Sequence, residues 1–283
     1  MRHENYTLRA DGGVEDAPAP VSDDGRSGDR SRWRNAGPCL LGEGSVDRLG
    51  RRRAGGKPDD GHAPVAVTPD DKTLTEHGWK DQGAGRILLI ACGALAHEIL
   101  ALKQINRWDH LDLHCLPANL HLWPDRIPAA VEAAVTERRN AYDQVFVVYA
   151  DCGTGGLLQA KCAELGVGMV EGPHCYSFFE GNAAFAAKAE EEFTAFYLTD
   201  FLVRQFDAFV WRPMGLDRHP ELRDMYFGHY TTLIYQAQVN DPKLDEKAQD
   251  CARRLGLAYQ RRFTGYGDLA HTLAAVAAGK DSP

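Results

Sequence analysis

Ile87-Leu88-Leu89-Ile90-Ala91-Cys92-Gly93-Ala94-Leu95-Ala96-His97 sets the architecture. Five apolar residues run unbroken into a thiol and a glycine, and Leu95, Ile99, Leu102 and Ile105 then recur at helical spacing. An unbroken apolar run is what a strand covered on both faces needs, and such strands belong to parallel sheets. The pattern returns downstream. Leu111-Asp112-Leu113-His114 leads into Cys115, and Val145-Phe146-Val147-Val148-Tyr149 leads into Asp151-Cys152-Gly153-Thr154-Gly155-Gly156. The stretch Val167 to Val170 precedes a fourth cysteine, in Gly172-Pro173-His174-Cys175-Tyr176. The carboxyl ends of parallel strands share one edge, where ligand crevices form. Four thiols distant in sequence are thereby delivered to one edge.

The helices between these strands are legible too. Pro124 and Pro128 flank a helix start before Ala129 to Val135, and Leu157, Leu158 and Cys162 lead to Gly166, a natural helix stop. One long helix is expected from Ala183 to Gln205, with Phe185, Phe193, Phe196, Tyr197 and Phe201 as its anchors. Thr231 to Tyr235 reads as a strand, Pro242 to Leu255 as a helix, Leu257 to Gln260 as a strand and Tyr266 to Ala278 as a last helix. The expectation is an α/β fold: three layers, a mostly parallel Rossmann-like sheet with helices on both faces. It forms a single domain over 83–283, in two βα halves near 83–180 and 206–283. Residues 1–82 mix Gly, Pro, Asp, Arg and Ser without apolar period, which predicts a disordered tail. Its Arg51-Arg52-Arg53 run is followed by Asp59 and Asp60 and reads as a solvated linker.

The 283 residues are 44% apolar and 25% charged, as in water-soluble globular proteins. A net charge of −8 argues against a nucleic-acid surface. No apolar stretch approaches the roughly 20 residues needed to cross a bilayer. No apolar core follows Arg2, so no secretory signal is read and a cytoplasmic location is expected. Seven cysteines without a CxxC pair suggest thiols that are buried, metal-bound or catalytic in a reducing compartment.

The loop after Tyr149 is the sharpest local signal. Gly153, Thr154, Gly155 and Gly156 offer backbone donors at a strand-to-helix turn, and a helix amino terminus there would cradle an anion and lower the Cys152 pKa. Gly93 repeats the arrangement beside Cys92, with His97 read as an exposed helix residue. Cys92, Cys115, Cys152 and Cys175 form the expected metal-ligand set, joined by His121, the better placed imidazole of the His114 to His121 loop. Cys152 doubles as candidate nucleophile, with His121 or His174 as its base. Sulfurs sharing one ion must lie within roughly 4 Å of each other, given bonds of about 2.3 Å to zinc. Cys162 and Cys251 fall inside helices and read as core. Asp217 reads as a helix cap, with Arg218 and His219 beside it, and Thr264-Gly265-Tyr266-Gly267-Asp268 as a further turn at the same edge.

Several of these segments resemble the family designated domain of unknown function 1638. They are Ala91-Cys92-Gly93, Leu116-Pro117-Ala118-Asn119-Leu120-His121, Tyr149-Ala150-Asp151-Cys152-Gly153, Gly172-Pro173-His174-Cys175-Tyr176, Tyr197-Leu198-Thr199-Asp200-Phe201 and Gly215 to Leu222. The resemblance runs from about Arg86 onward. It implies a one-carbon setting, because family members occur beside corrinoid methyl-transfer proteins. The leading functional expectation is a protein with a thiolate-centred zinc or iron–sulfur site. The alternatives are an accessory protein binding a small anionic ligand or a methyl-transfer partner, and a metal-free enzyme using Cys152.

Overall fold

The structure, a computed structural model, describes residues 68–279 except 82 and 84. Most of the expected tail, with its arginine run, lies outside the described residues. The upstream limit of order needs correcting, because a helix and a strand precede residue 83. Helix α1 (Asp71–Glu76) starts at Asp70, whose side chain accepts a 2.9 Å hydrogen bond from the Thr73 amide. Strand β1 (Trp79–Lys80) pairs antiparallel with β3 (Leu111–Leu116). Both are too short to show a period, which is why composition alone assigned them to the tail.

Beyond them the alternation holds. Strand β2 (Ile87–Cys92) leads into α2 (Ala96–Asn106), β3 into α3 (Ile127–Arg138), and β4 (Gln144–Val148) into α4 (Leu157–Leu165), which ends at Gly166 before β5 (Gly168–Met169). Gly166 has φ +65°, the left-handed conformation that closes a helix cheaply only without a Cβ. These strands form one sheet in the order β1-β3-β2-β4-β5, parallel except for β1. The chain moves from β2 to β3 on one side, then crosses to β4 on the other. The strand order therefore reverses between the carboxyl ends of β2 and β4, and a crevice opens at such a point.

The remainder does not extend this sheet, as a single three-layer sheet would require. Short helices α5 (Cys175–Glu180) and α6 (Asn182–Ala187) lead to β6 (Ala195–Thr199), and α7 (Asp200–Arg204) follows at once. A π-helical turn (Asp207–Trp211) and α8 (Arg223–Phe227) come before β7 (Thr232–Ala237), α9 (Pro242–Leu255), β8 (Ala258–Phe263) and α10 (Gly267–Ala277). Strands β6, β7 and β8 make a second, fully parallel sheet in that order. The long helix expected over Ala183 to Gln205 is thus corrected to helix, strand and helix. Phe193, Phe196, Tyr197 and Phe201 fit a helical stripe, yet Ala195-Phe196-Tyr197-Leu198-Thr199 is aromatic and β-prone, and tertiary pairing with β7 decides.

One core spans both sheets, with Leu89, Ala91, Leu113 and Val148 of the first joined to Leu198, Leu233 and Tyr235 of the second and to Phe201 of α7. A second core lies on the other face of the first sheet, where Leu88, Ile90 and Val147 meet Val131 and Val135 of α3 and Leu158 of α4. Residues alternate between these cores along each strand, as the pleat dictates. No helix among the described residues is long and apolar enough to cross a membrane.

Candidate functional site

At the β2–β4 crossing point lies a largely enclosed cavity of about 30 Å³, room for a water or an ion rather than a metabolite. Cys92 comes to it from the end of β2, Tyr149, Ala150 and Cys152 from the loop after β4, and Cys175 from the start of α5. His121, on the 3₁₀ turn Ala118–Leu122, stands at the rim, and Thr199 from β6 and Phe201 from α7 complete the wall. Three of the four expected thiols and the expected imidazole thus share one small space.

Cys115 does not line it. Cys92 pairs across the sheet with Leu116, while Cys115 pairs with Ala91, and the alternation turns Cys115 to the other face. It is almost fully buried there among core residues. Cys162 and Cys251 are buried on α4 and α9, where their spacing places them. Among the described residues no group of three or more His, Cys, Asp or Glu side chains is gathered tightly enough to hold a metal ion. A shared ion would therefore require the side chains to turn inward.

The thiols are held neutral. Desolvation pushes the Cys92 pKa up to about 11 and Cys175 to about 12, with the Cys92 thiol adding to the rise at Cys175. Cys152 is raised well above the ordinary range, by desolvation first and then by Cys175 and Cys92. This corrects the expectation of a lowered Cys152 pKa. Helix α4 begins at Leu157, five positions beyond Cys152, so the helix field does not reach the thiol with its full strength. Desolvation prevails. His121 is shifted down by desolvation and by neighbouring His174, although part of its surface is open to solvent. The Tyr149 hydroxyl is buried near Cys92 and lacks a hydrogen-bond partner of normal geometry among the described residues.

The anion cradle expected from Gly153 to Gly156 is also corrected, because the chain fills it itself. Asp151 Oδ1 accepts from the Gly156 amide at 2.7 Å and from the Thr154 hydroxyl at 2.7 Å, while Oδ2 accepts from the Gly155 amide at 3.1 Å. Gly93 has a packing role: a Cβ there would stand 2.5 Å from the Leu74 carbonyl oxygen. Cys152 adopts φ +49°; the one other described non-glycine residue with positive φ is Arg107, which caps α2. Left-handed backbone at a non-glycine residue costs about 1–2 kcal/mol and collects at functional positions.

His114 is buried on β3 and His174 stacks on Tyr176 with ring centroids 4.8 Å apart; neither lines the cavity. His219 pairs with Glu221 at 3.1 Å on an exposed turn, and α8 has no side-chain cap, so the Asp217 capping expectation is not met. His97 is corrected from exposed to half-buried, with Nε2 2.9 Å from Asp71 Oδ1. It belongs to a second, open cleft of about 440 Å³, walled by Asp71, Glu98, Asp200, Arg204 and Tyr266. The sequence names His97, Asp200 and Tyr266 without a role in a site, and does not point to Asp71, Glu98 or Arg204 at all. The signal available was Thr199-Asp200, a cap pair that marks a strand-to-helix turn.

A family model described as "Protein of unknown function (DUF1638)" matches residues 115–273, more than half of the chain. The chain belongs to this family. The DUF1638 match begins at β3, so β2 with Cys92 and α2 with Glu98 precede it, while Cys152, Cys175 and His121 lie within it. No curated protein and no solved structure matches the chain.

Proposed function

We propose that the cavity between β2 and β4 is a soft-metal centre whose ligands are the thiolates of Cys92, Cys152 and Cys175 and the imidazole of His121. The observation that carries this reading is their convergence on one enclosed void of about 30 Å³ at the crossing point of the sheet. Three cysteines and a histidine are a common zinc donor set, and a void this small suits one ion better than an iron–sulfur cluster. The raised thiol pKa values follow the same logic: gathering three thiolates away from water is costly without a cation, and a bound ion lowers each pKa. The left-handed backbone of Cys152 is a second support. Binding would turn the sulfurs inward and release their protons.

The test is metal content of the full-length chain, purified under reducing conditions and offered zinc. About one ion per chain is expected. Cys92→Ser, Cys152→Ser and Cys175→Ser should each abolish binding, because a neutral hydroxyl is a poor substitute for a soft thiolate. Cys115→Ser, Cys162→Ser and Cys251→Ser should retain it. Loss of metal in the last three, or none in the first three, defeats the proposal. A folded chain that takes up no zinc or iron favours a second reading, supported by the thiols' neutrality, in which Cys92, Cys152 and Cys175 are structural and only pack. The one-carbon setting and a corrinoid partner rest on family resemblance, and neither reading depends on them.

A further inference from the structure

The open cleft beside α2 stands at the carboxyl ends of the second sheet. Asp200 follows β6, Val239 follows β7, and Tyr266 follows β8, while Asp71, His97, Glu98 and Arg204 close the other side. Its volume of about 440 Å³ is that of a small-molecule pocket.

Three of its carboxylates are already satisfied. Asp70 caps α1; Asp71 holds His97 and Arg204; Asp200 accepts from the Tyr235 hydroxyl at 2.7 Å and from the amides of Gln238 and Val239 at 3.1 Å each. Glu98 differs. The residue is 4% exposed, and its Oε2 has no hydrogen-bond partner among the described residues. Arg204 Nη2 is likewise buried without a partner, its Nε being taken by Asp71. An unpaired acceptor and an unpaired donor buried on one cleft wall each carry a desolvation penalty, so the site is built for something that satisfies both.

We propose that this cleft binds a short amine that also carries an oxygen acceptor, an amino alcohol or an amino acid, with its ammonium on Glu98 and its oxygen on Arg204 Nη2. The charge balance sets the sign. Four carboxylates, of Asp70, Asp71, Glu98 and Asp200, face one guanidinium and one imidazole, so an anion meets net repulsion and an ammonium meets attraction. The Arg204 donor then requires an oxygen on the same molecule, which a plain amine lacks. The inference uses a different cavity from the thiol centre and does not depend on it.

The experiment is ligand-observed NMR at about pH 8, where Glu98 is ionised, with the full-length chain and four probes: ethanolamine, L-alanine, ethylamine and propionate. Ethanolamine and L-alanine should bind with dissociation constants of about 1 mM or tighter, ethylamine more weakly, and propionate not at all. Glu98→Gln keeps the shape and removes the charge, and should weaken ethanolamine at least about tenfold. Should that variant fail to fold, Ala101→Phe fills the cleft from its wall and should abolish binding. The proposal is overturned if neither ethanolamine nor L-alanine binds, if ethylamine or propionate equals them, or if the folded Glu98→Gln or Ala101→Phe chain binds ethanolamine unchanged. Bridging water would satisfy Glu98 and Arg204 in the first of these cases.

Discussion

Asp71 accepts a 2.8 Å hydrogen bond from Arg204 Nε across 133 positions of sequence, and so fastens α1 to the helix that follows β6. Its other oxygen meets His97 Nε2 at 2.9 Å, and these contacts together hold the Asp71 carboxyl below its ordinary pKa despite desolvation. The side chains are 18% and 24% exposed, between the surface pairs that contribute little and the buried pairs whose breakage is severe. Asp71→Asn should therefore lower unfolding stability by about 1–3 kcal/mol in urea titration. Asp143→Asn, which breaks the exposed Arg86 pair, should cost less than about 1 kcal/mol. Equal losses in the two variants would show that the Asp71 fastening adds nothing.

Glu98 and His114 oppose each other in their effect on stability against pH. Desolvation raises the Glu98 pKa from 4.5 to about 7. Between those values the unfolded chain releases the proton and the folded chain keeps it, so stability falls as pH rises through that window, by on the order of 3 kcal/mol in all. Desolvation, with Lys80 and Arg138 nearby, lowers the His114 pKa from 6.5 to about 4. In that window the unfolded chain takes up the proton first, so stability falls as pH drops. The two slopes partly cancel in the wild-type chain. Glu98→Gln should remove the loss toward pH 7 and leave a steeper acid loss, and His114→Gln should do the reverse. Urea midpoints between pH 4.5 and pH 7 that keep the wild-type slope in both variants would rule the pairing out.

A buried network ties α5 to β8. Arg262 Nη1 donates to Glu180 Oε2 at 2.6 Å, and Arg262 Nη2 donates to Glu192 Oε1 at 2.5 Å; Glu180 also accepts from Gln236 at 2.9 Å. The Glu180 side chain is 5% exposed, so deleting Arg262 leaves a carboxylate in a poor dielectric with Lys188 as its remaining cation. Arg262→Met should cost about 3–5 kcal/mol. Arg262→Lys should recover only part of it, because an ammonium does not reproduce the planar fork that reaches both carboxylates. Full recovery by lysine, read from thermal unfolding, would reduce the network to simple charge.

What the sequence disclosed follows from which signals are local. The first sheet was legible because Ile87 to Ala91 and Val145 to Tyr149 are unbroken apolar runs ending in cysteine, and α9 because Asp241-Pro242 and Gly256 punctuate it at both ends. That Cys92, Cys152, Cys175 and His121 line one space follows from strand ends sharing an edge. The failure at Cys115 is one of parity, since Cys115 sits one position short of the register partner of Cys92 and so faces the other way. Of the second sheet, β7 and β8 were legible at Thr231 to Tyr235 and Leu257 to Gln260, but β6 was hidden because Phe193, Phe196, Tyr197 and Phe201 satisfy a helical period as well as a strand. The cleft was invisible, since α1, α2 and α7 bring Asp71, Glu98 and Arg204 together only through tertiary packing.

The strain at Cys152 gives a prediction that separates function from stability. Its φ of +49° places a side-chain-bearing residue in the left-handed region, at a cost of about 1–2 kcal/mol that glycine does not bear. Were this position selected for folding alone, glycine would suit it, as it does at Gly153, where φ is +82°. Replacing Cys152 by Ala or by Gly removes the thiol equally, so the difference between the two variants isolates the backbone term. Cys152→Gly should be the more stable by about 1 kcal/mol in urea unfolding, even after the larger entropy of an unfolded glycine is counted. Under the zinc proposal neither variant should bind the ion. A Cys152→Ala chain at least as stable as Cys152→Gly would show that the loop relaxes, and the strain would cease to support a functional thiol there.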